Sequence, residues 1–305
     1  MSRDERELNW RRFQRHDFPE PSPDLAPYVT RYWIVDWDYA RPYRQLIVPY
    51  PKVQLSFIGD TVEVHGVSSG HVFKELDGRG RVFGVEFQAG CFRPFLGAPV
   101  QSITDRSIPA TDVFDAIPDT VDVSTVEAML RANLPSPPPE TPLAARIVER
   151  IAAEPAITRA DDLAREYRIT LRQLQRQFAE HVGIGPKWVI RRYRLREATE
   201  RMATGERVDW GALAAELGFA DQAHFTRDFT KMFGETPTRY AERYLGAQPS
   251  SNVAIRPLGP DAQQANLAHS TLSKAPSSKR CQSRPLSTVR SLPVGPTVIA
   301  IEPAT

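Results

Sequence analysis

The chain has 305 residues, 41% of them hydrophobic and 25% charged, the proportions of a soluble globular protein that is long for a single core. Its formal charge of +2 divides into −4 over residues 1–139, +2 over 140–246 and +4 over 247–305, so no segment is basic enough for charge alone to announce nucleic acid. The two cysteines, Cys91 and Cys281, have no metal-type spacing, which argues against a disulfide framework or a zinc site.

The N-terminal "MSRDERELNWRRF" is charged where a signal peptide is greasy, and no window approaches the ~18 apolar residues of a membrane span. These features predict a cytoplasmic protein with no membrane partner. From Tyr28 to about Phe95, apolar and aromatic residues recur at short period between Gly and Pro breaks, the pattern of strands. In "VQLSFIGDTVEVHGV" two β-rich runs flank Gly59-Asp60, the composition of a tight hairpin turn. "RYWIVDWDY" and "GRVFGVEFQAG" supply further strands, so residues 1–134 read as an antiparallel β-rich, barrel-like domain.

Inside it, His65 and His71 with Glu63 and Glu75 raise the question of a metal, but their spacing matches no usual ligand pattern, and period two alone puts Glu63 and His65 on one face. No metal and no cofactor are predicted. Cys91, beside Phe92, reads as a small packing residue. Trp33, Trp37, Phe57 and Phe87 read as core before they read as a ligand pocket.

The clustered prolines of "LPSPPPETP" stiffen the chain and exclude regular structure, which makes 135–142 a linker. Beyond it the period is helical, and 143–246 reads as an all-α domain. Residues 247–305 hold 8 Pro and 9 Ser with little periodic apolar content and read as a disordered tail.

Within the helical segment one design occurs twice. Thr158 with Asp161 has the spacing of a capping box; Leu163, Ala164 and Tyr167 face inward; Thr170 with Gln173 forms a second box. Leu171, Leu174, Phe178 and Val182 then make an apolar stripe whose opposite face carries Arg172, Gln175 and Arg176. Fifty-one residues on, Asp209 caps a helix whose inward face is Leu213, Ala214 and Leu217, Gly218 permits a sharp exit, and Asp221 caps the next helix. Phe225, Phe229 and Phe233 repeat every four residues as its buried stripe, opposite Ala223, Arg227 and Thr230 and flanked by Gln222, His224 and Thr226.

Between the copies, "PKWVIRRYRLREATERMATG" has Pro at a first helical position and no internal breaker, giving a rod of ~18 residues and ~27 Å. Lys187, Arg191, Arg192, Arg194, Arg196 and Arg201 make it basic, and those not paired with Glu197 or Glu200 can reach phosphate. One polar, Arg-bearing helix face is ordinarily a solvated one; two copies on a stiff basic spacer match two recognition surfaces on one duplex.

At these residues the sequence resembles the AraC/XylS class of bacterial transcription regulators. "LAAELGFADQAHFTRDFTKMFGETPTRYAERY" has the Leu-Gly-Phe turn, the Phe-x-Arg-x-Phe core and the Gly-x-x-Pro-x-x-Tyr close of that class. The resemblance implies a sequence-specific DNA-binding transcription regulator that inserts one helix of each unit into successive major grooves. By position it implies Arg172, Gln175 and Arg176 as base-facing in the first unit, and Gln222, Ala223, His224, Thr226 and Arg227 in the second. Thr170, Lys187 and Arg191 are the expected phosphate contacts. Ala223 departs from the class, where many members carry a polar residue, though a methyl can still meet thymine. "VHGVSSGHVFKEL", "GVEFQAGCFRPFLGAPV" and "DRSIPATDVF" are similar to the small β-rich domain of some such regulators, which senses an effector or mediates dimerisation.

The expected protein is therefore α+β and two-domain: a β-rich sensor or dimerisation domain followed by a double helix-turn-helix domain with a linker helix. Its expected partners are double-stranded promoter DNA, a small-molecule effector in the N-terminal domain, RNA polymerase and a second copy of the chain. It is not expected to be an enzyme. The rival readings are a catalytic β domain with a helical regulatory module, for which residues 1–139 show no acid-base pair or nucleophile at recognisable spacing, and a helical adaptor with salt-driven DNA association.

Overall fold

A computed structural model describes residues 13–135, 139–242 and a short strand at 298–300. The tail expected to be disordered lies, but for that strand, outside the described residues.

The N-terminal part is an antiparallel sheet with strand order β1-β2-β5-β3-β4-β6. Its strands are β1 (Gln14–Asp17), β2 (Val29–Ile47), β3 (Gln54–Ile58), β4 (Thr61–His65), β5 (Val72–Phe87) and β6 (Ser107–Pro109). The strand Val298–Ala300, β7, pairs with β2 opposite Gln45, Leu46 and Ile47. The Gly59-Asp60 pair joins β3 to β4 as the sequence predicts. The long strands β2 and β5 run side by side, placing Gly84 opposite Trp33 and Gly80 opposite Trp37. A Cβ at these glycines would come within 1.9 Å and 2.2 Å of the two indoles, so only glycine lets the rings lie flat across the neighbouring strand.

Alternation along the strands divides the aromatic residues between two faces. Phe57 and Phe87 enter the main core with Tyr32, Leu55, Val64 and Phe92. Trp37 lies instead in a second cluster with Tyr39, Leu76 and Val82, and Trp33 packs against it.

The main core is closed by α1 (Arg93–Leu96), a 3-10 turn at Val100–Ile103 and α2 (Val123–Ala132). Asp122 and Thr125 cap α2 reciprocally. On α2, the buried Glu127 accepts hydrogen bonds from the Ser22 backbone N–H, the Ser22 hydroxyl and the Tyr32 hydroxyl, which ties the helix to the chain entering β2. Cys91 is buried beneath this layer, and burial pushes its thiol up to about 11, in keeping with a packing role.

The C-terminal part is helical: α3 (Leu143–Ala153), α4 (Ala160–Glu166), α5 (Leu171–His181), α6 (Pro186–Met202), α7 (Trp210–Glu216), α8 (Gln222–Phe233) and α9 (Pro237–Glu242). The pairs α4/α5 and α7/α8 are the two helix-turn-helix units. The predicted Thr158–Asp161 capping box is not formed: α4 starts at Ala160, with Arg159 at the N-cap and no side-chain cap. Thr158 precedes that N-cap and lies against the second turn, its Cβ 2.7 Å from where a side chain on Gly218 would begin. The Thr170/Gln173 box and the Asp209 and Asp221 caps are present.

The β-rich and helical parts share cores. Leu46 and Val48 of the β domain pack with Phe225, Phe229 and Phe233 of the second unit. Ala145 of α3 packs into the sheet core.

Candidate nucleic-acid interface

In α5, Thr170 fixes the N-terminus by accepting from the Gln173 backbone N–H, while Leu174 and Phe178 are fully buried. A period of 3.6 residues then turns Arg172, Gln175 and Arg176 outward, and all three are exposed. Thr170, Arg172, Gln175 and Arg176 line an open groove of about 640 Å³. In α8, Asp221 accepts from the His224 backbone N–H, and Phe225, Phe229, Met232 and Phe233 are buried. Phe229 stacks on Phe233 with centroids 4.4 Å apart, and Tyr240 meets Phe229 edge-on at 5.4 Å. Burying each ring contributes about 1.5–3 kcal/mol, which holds the opposite face out. Gln222, Ala223 and Arg227 are exposed there, and Thr226 is half-buried at its edge.

His224 is also half-buried. Its ring meets Phe219 edge-on at 5.5 Å, and its Nε2 lies 3.4 Å from Asp228 Oδ2. The same carboxylate pairs with Arg191 of α6 at 3.0 Å. Two residues expected to face DNA thus converge on Asp228, a residue that sequence reasoning passed over. The i, i+4 spacing of His224 and Asp228 was the available signal.

The helix α6 spans 17 residues from Pro186 at its first position, about 25 Å at 1.5 Å per residue. It is the stiff spacer expected from the absence of breakers, but its cations are distributed differently from the sequence reading. Arg192 and Arg194, two of the six cations that make the rod basic, are 1% and 3% exposed and out of reach of phosphate, and Arg194 also pairs with Glu197 at 3.3 Å. Arg192 Nε donates to the Pro49 carbonyl at 2.5 Å, with its guanidinium 3.9 Å from the Tyr50 ring centroid. Arg194 donates to the Ile151 carbonyl at 2.7 Å, and burial lowers its pKa. Arg196 pairs with Glu200, and Arg201 with Glu197 and Glu216. Lys187 is exposed at the start of the rod, next to the turn that follows α5.

The units repeat with a small asymmetry. Leu163 and Leu213 are 50 residues apart, whereas Thr170 and Asp221, Leu174 and Phe225, and Arg176 and Arg227 are 51 apart, so the second turn is one residue longer. The residue that reverses the chain is Arg168 (φ +54°) in the first turn and Gly218 (φ +77°) in the second.

His65 and His71, the pair that raised the question of a metal, do not converge. His65 sits between Ser56 and Ser107, each hydroxyl 2.7 Å from a ring nitrogen. His71 lies on the Lys231 carbonyl at the end of α8.

Residues 163–243 match the family model described as a helix-turn-helix domain. The HTH-type transcriptional activator RhaS of Pectobacterium atrosepticum is 35% identical over 75 residues, 25% of this chain and 26% of the relative. Residues 163–243 form an AraC-type helix-turn-helix domain. The chain spans about a quarter of the length of the curated relatives it matches, a RhaS of Pectobacterium carotovorum being another at the same identity and coverage. Ahead of the AraC-type domain, residues 18–109 match a domain of unknown function, DUF6597.

Among solved structures, a transcriptional regulator of the AraC-type DNA-binding class from Chromobacterium violaceum is similar at 24% identity, over 33% of this chain and 89% of that one, with a TM-score of 0.29. The unsaturated fatty acid bound ToxT of Vibrio cholerae is similar at 14% identity, over 68% of this chain and 93% of that one, with a TM-score of 0.35.

Proposed function

We propose that the chain is a sequence-specific DNA-binding transcription regulator that presents α5 and α8 to successive major grooves of one duplex. The observation that carries this reading is the pair of outward faces, Arg172/Gln175/Arg176 and Gln222/Arg227, set on buried stripes at either end of one unbroken helix. A helix fits the major groove, Arg reads guanine O6 and N7 with two donors, Gln reads adenine N6 and N7, and the Ala223 methyl suits thymine.

Thr226 and His224 flank the second face. His224 is anchored through Asp228 and serves to orient it. Lys187 and the Thr170 cap supply phosphate contacts; Arg191, paired with Asp228, positions α8 and reaches phosphate only by sharing that carboxylate. The β domain supplies the regulatory input, a small effector or a second copy of the chain, because it grips both α6 and the end of α8; RNA polymerase is a further partner for a regulator acting from promoter DNA. We assign the domains as 1–134, the linker 135–142, 143–246 and 247–305. Among the described residues no helix is long and apolar enough to cross a membrane, and we place the protein in the cytoplasm with the DNA it reads.

The reading includes no catalysis. The serine–histidine pair of the β domain is a fastener across β3, β4 and β6: Ser56 is 5% exposed within the sheet, and the second imidazole nitrogen meets Ser107, not a carboxylate.

Selection of duplexes from a random pool by the full chain, followed by footprinting, tests the reading. We expect two short protected blocks about one helical turn, ~10.5 bp, apart. Binding that is uniform across sequences and driven only by salt would overturn it. Within the enriched site, Arg227→Ala is expected to cost about 1–3 kcal/mol and to relax preference at one base.

A further inference from the structure

The groove beside α5 has a wall that does not come from the AraC-type domain. Gln101, in the 3-10 turn of the β domain, lines the same 640 Å³ space as Arg172, Gln175 and Arg176. The turn is held rigidly against the end of α5. Thr104 Oγ1 donates to the Gly183 carbonyl at 2.5 Å, Val100 is fully buried beside Gly183, and Arg93 pairs with Glu180 of α5 at 2.9 Å. Gln101 itself is exposed, and its side-chain amide makes no hydrogen bond among the described residues. A side chain on a rigid turn has little positional freedom to lose on binding, so it can contribute contact energy at low entropic cost.

We propose that Gln101 is a DNA-contacting residue, so that the duplex face is a composite surface to which the β domain contributes directly. The inference rests on the DNA-binding reading above. A helix inserted in a major groove is flanked by the two sugar-phosphate strands, and residues just past its end meet one of them. Gln101 lines the groove together with Gly183 and Gly185, in the turn that ends α5 and begins α6, and its amide N–H groups supply neutral donors to a phosphate oxygen there. The contact fixes position and carries no base preference of its own.

The test uses the full chain and a fluorescent duplex enriched from a random pool by the wild-type protein, with affinity measured by anisotropy across a salt series. Gln101→Lys adds a charge at the phosphate and is expected to tighten binding several-fold at low salt and to steepen the slope of log K against log salt by about 0.9. Gln101→Glu is expected to weaken binding about tenfold, uniformly across related sequences. Thr61→Lys makes the same charge change at the exposed tip of the β3–β4 hairpin, ~17 Å of strand from the end that meets the turn, and is expected to leave the slope unchanged.

Arg176→Ala separates the two ideas. If it weakens binding while the Gln101 variants behave like Thr61→Lys, the composite surface is overturned and the DNA-binding reading stands. If no duplex is enriched, both fall. Weaker binding by Gln101→Lys would show that the turn obstructs the duplex, and would also overturn the proposal.

Discussion

The two helix-turn-helix units share a plan and differ in what completes them. The first has a core of its own, Leu163, Leu174, Phe178 and Val182 closed by α3 and α6 with the half-buried Ala89, and the β domain meets it chiefly at the end of α5 through Val100, Thr104 and Arg93. The second is larger, more aromatic and unfinished without the sheet. Leu46 and Val48 from β2 lie in its core, the backbone N–H and Nδ1 of His71 both face the Lys231 carbonyl, and Arg192 reaches from α6 between Tyr50 and Phe233. Sharing a core couples two regions in a way that surface contacts do not, because packed interiors resist continuous deformation. The second recognition face is thus set through a core shared with the β domain, and the first through its own core and a clamp at the end of α5.

The largest effect expected from this difference follows removal of an aromatic. Phe229→Ala should cost about 3–5 kcal/mol in denaturant unfolding, since the ring is fully buried and contacts Phe225, Phe233 and Tyr240. Next comes a substitution in the other domain. Leu46→Ala should cost about 2–5 kcal/mol, and hydrogen exchange should show amides of α7 and α8 losing more protection than those of α4 and α5. Equal loss in both units, or loss confined to the sheet, would break this asymmetry.

The two turns offer a smaller and sharper comparison. Gly218 has φ +77° with Thr158 packed against it, so Gly218→Ala should destabilise by at least the ~1–2 kcal/mol that a left-handed conformation costs an L-residue. Arg168 already bears that strain at φ +54°. Arg168→Gly should therefore stabilise by up to about 1 kcal/mol, the relief less the ~0.5–1 kcal/mol of extra chain entropy glycine loses. Opposite signs in thermal melts are the expected result; the same sign at both positions would mean that the turns are not equivalent.

Local chemistry was legible in the sequence wherever the controlling partner lies within a few residues. The Thr170 and Asp221 caps, the Phe stripe of α8, Pro186 at the head of α6 and the Gly59-Asp60 hairpin all depend on neighbours along the chain. The Thr158 cap is absent because the helix starts one residue later than the spacing predicts, and Thr158 lies against Gly218, 60 positions away. The burial of Arg192 and Arg194 was hidden because their carbonyl acceptors, Pro49 and Ile151, are 143 and 43 residues distant. A guanidinium in a basic rod carries no local sign that it will be buried. The outward faces around Arg176 and Arg227 followed from periodicity, whereas their anchoring by Asp228 and by the β domain required the tertiary fold.

The smallest expected effect concerns acid, and it falls on the first unit through His181, the last residue of α5. Burial lowers the pKa of this imidazole, Glu180 opposes the shift and Arg93 adds to it. A histidine at a helix C-terminus is ordinarily favoured in its charged form by the helix dipole, so burial is the stronger influence here. The sign follows directly: with the folded value below the unfolded 6.5, the neutral ring's contribution is complete above pH 6.5 and is lost as the pH falls through the folded value. Melting temperatures from pH 8 to 5 should therefore decline more steeply below 6.5 for the wild type than for His181→Gln, with α5 amides exchanging faster in acid than those of α8. Identical slopes for the two proteins would show that the end of α5 opens to water at little cost, leaving the β domain no firm hold on the first unit.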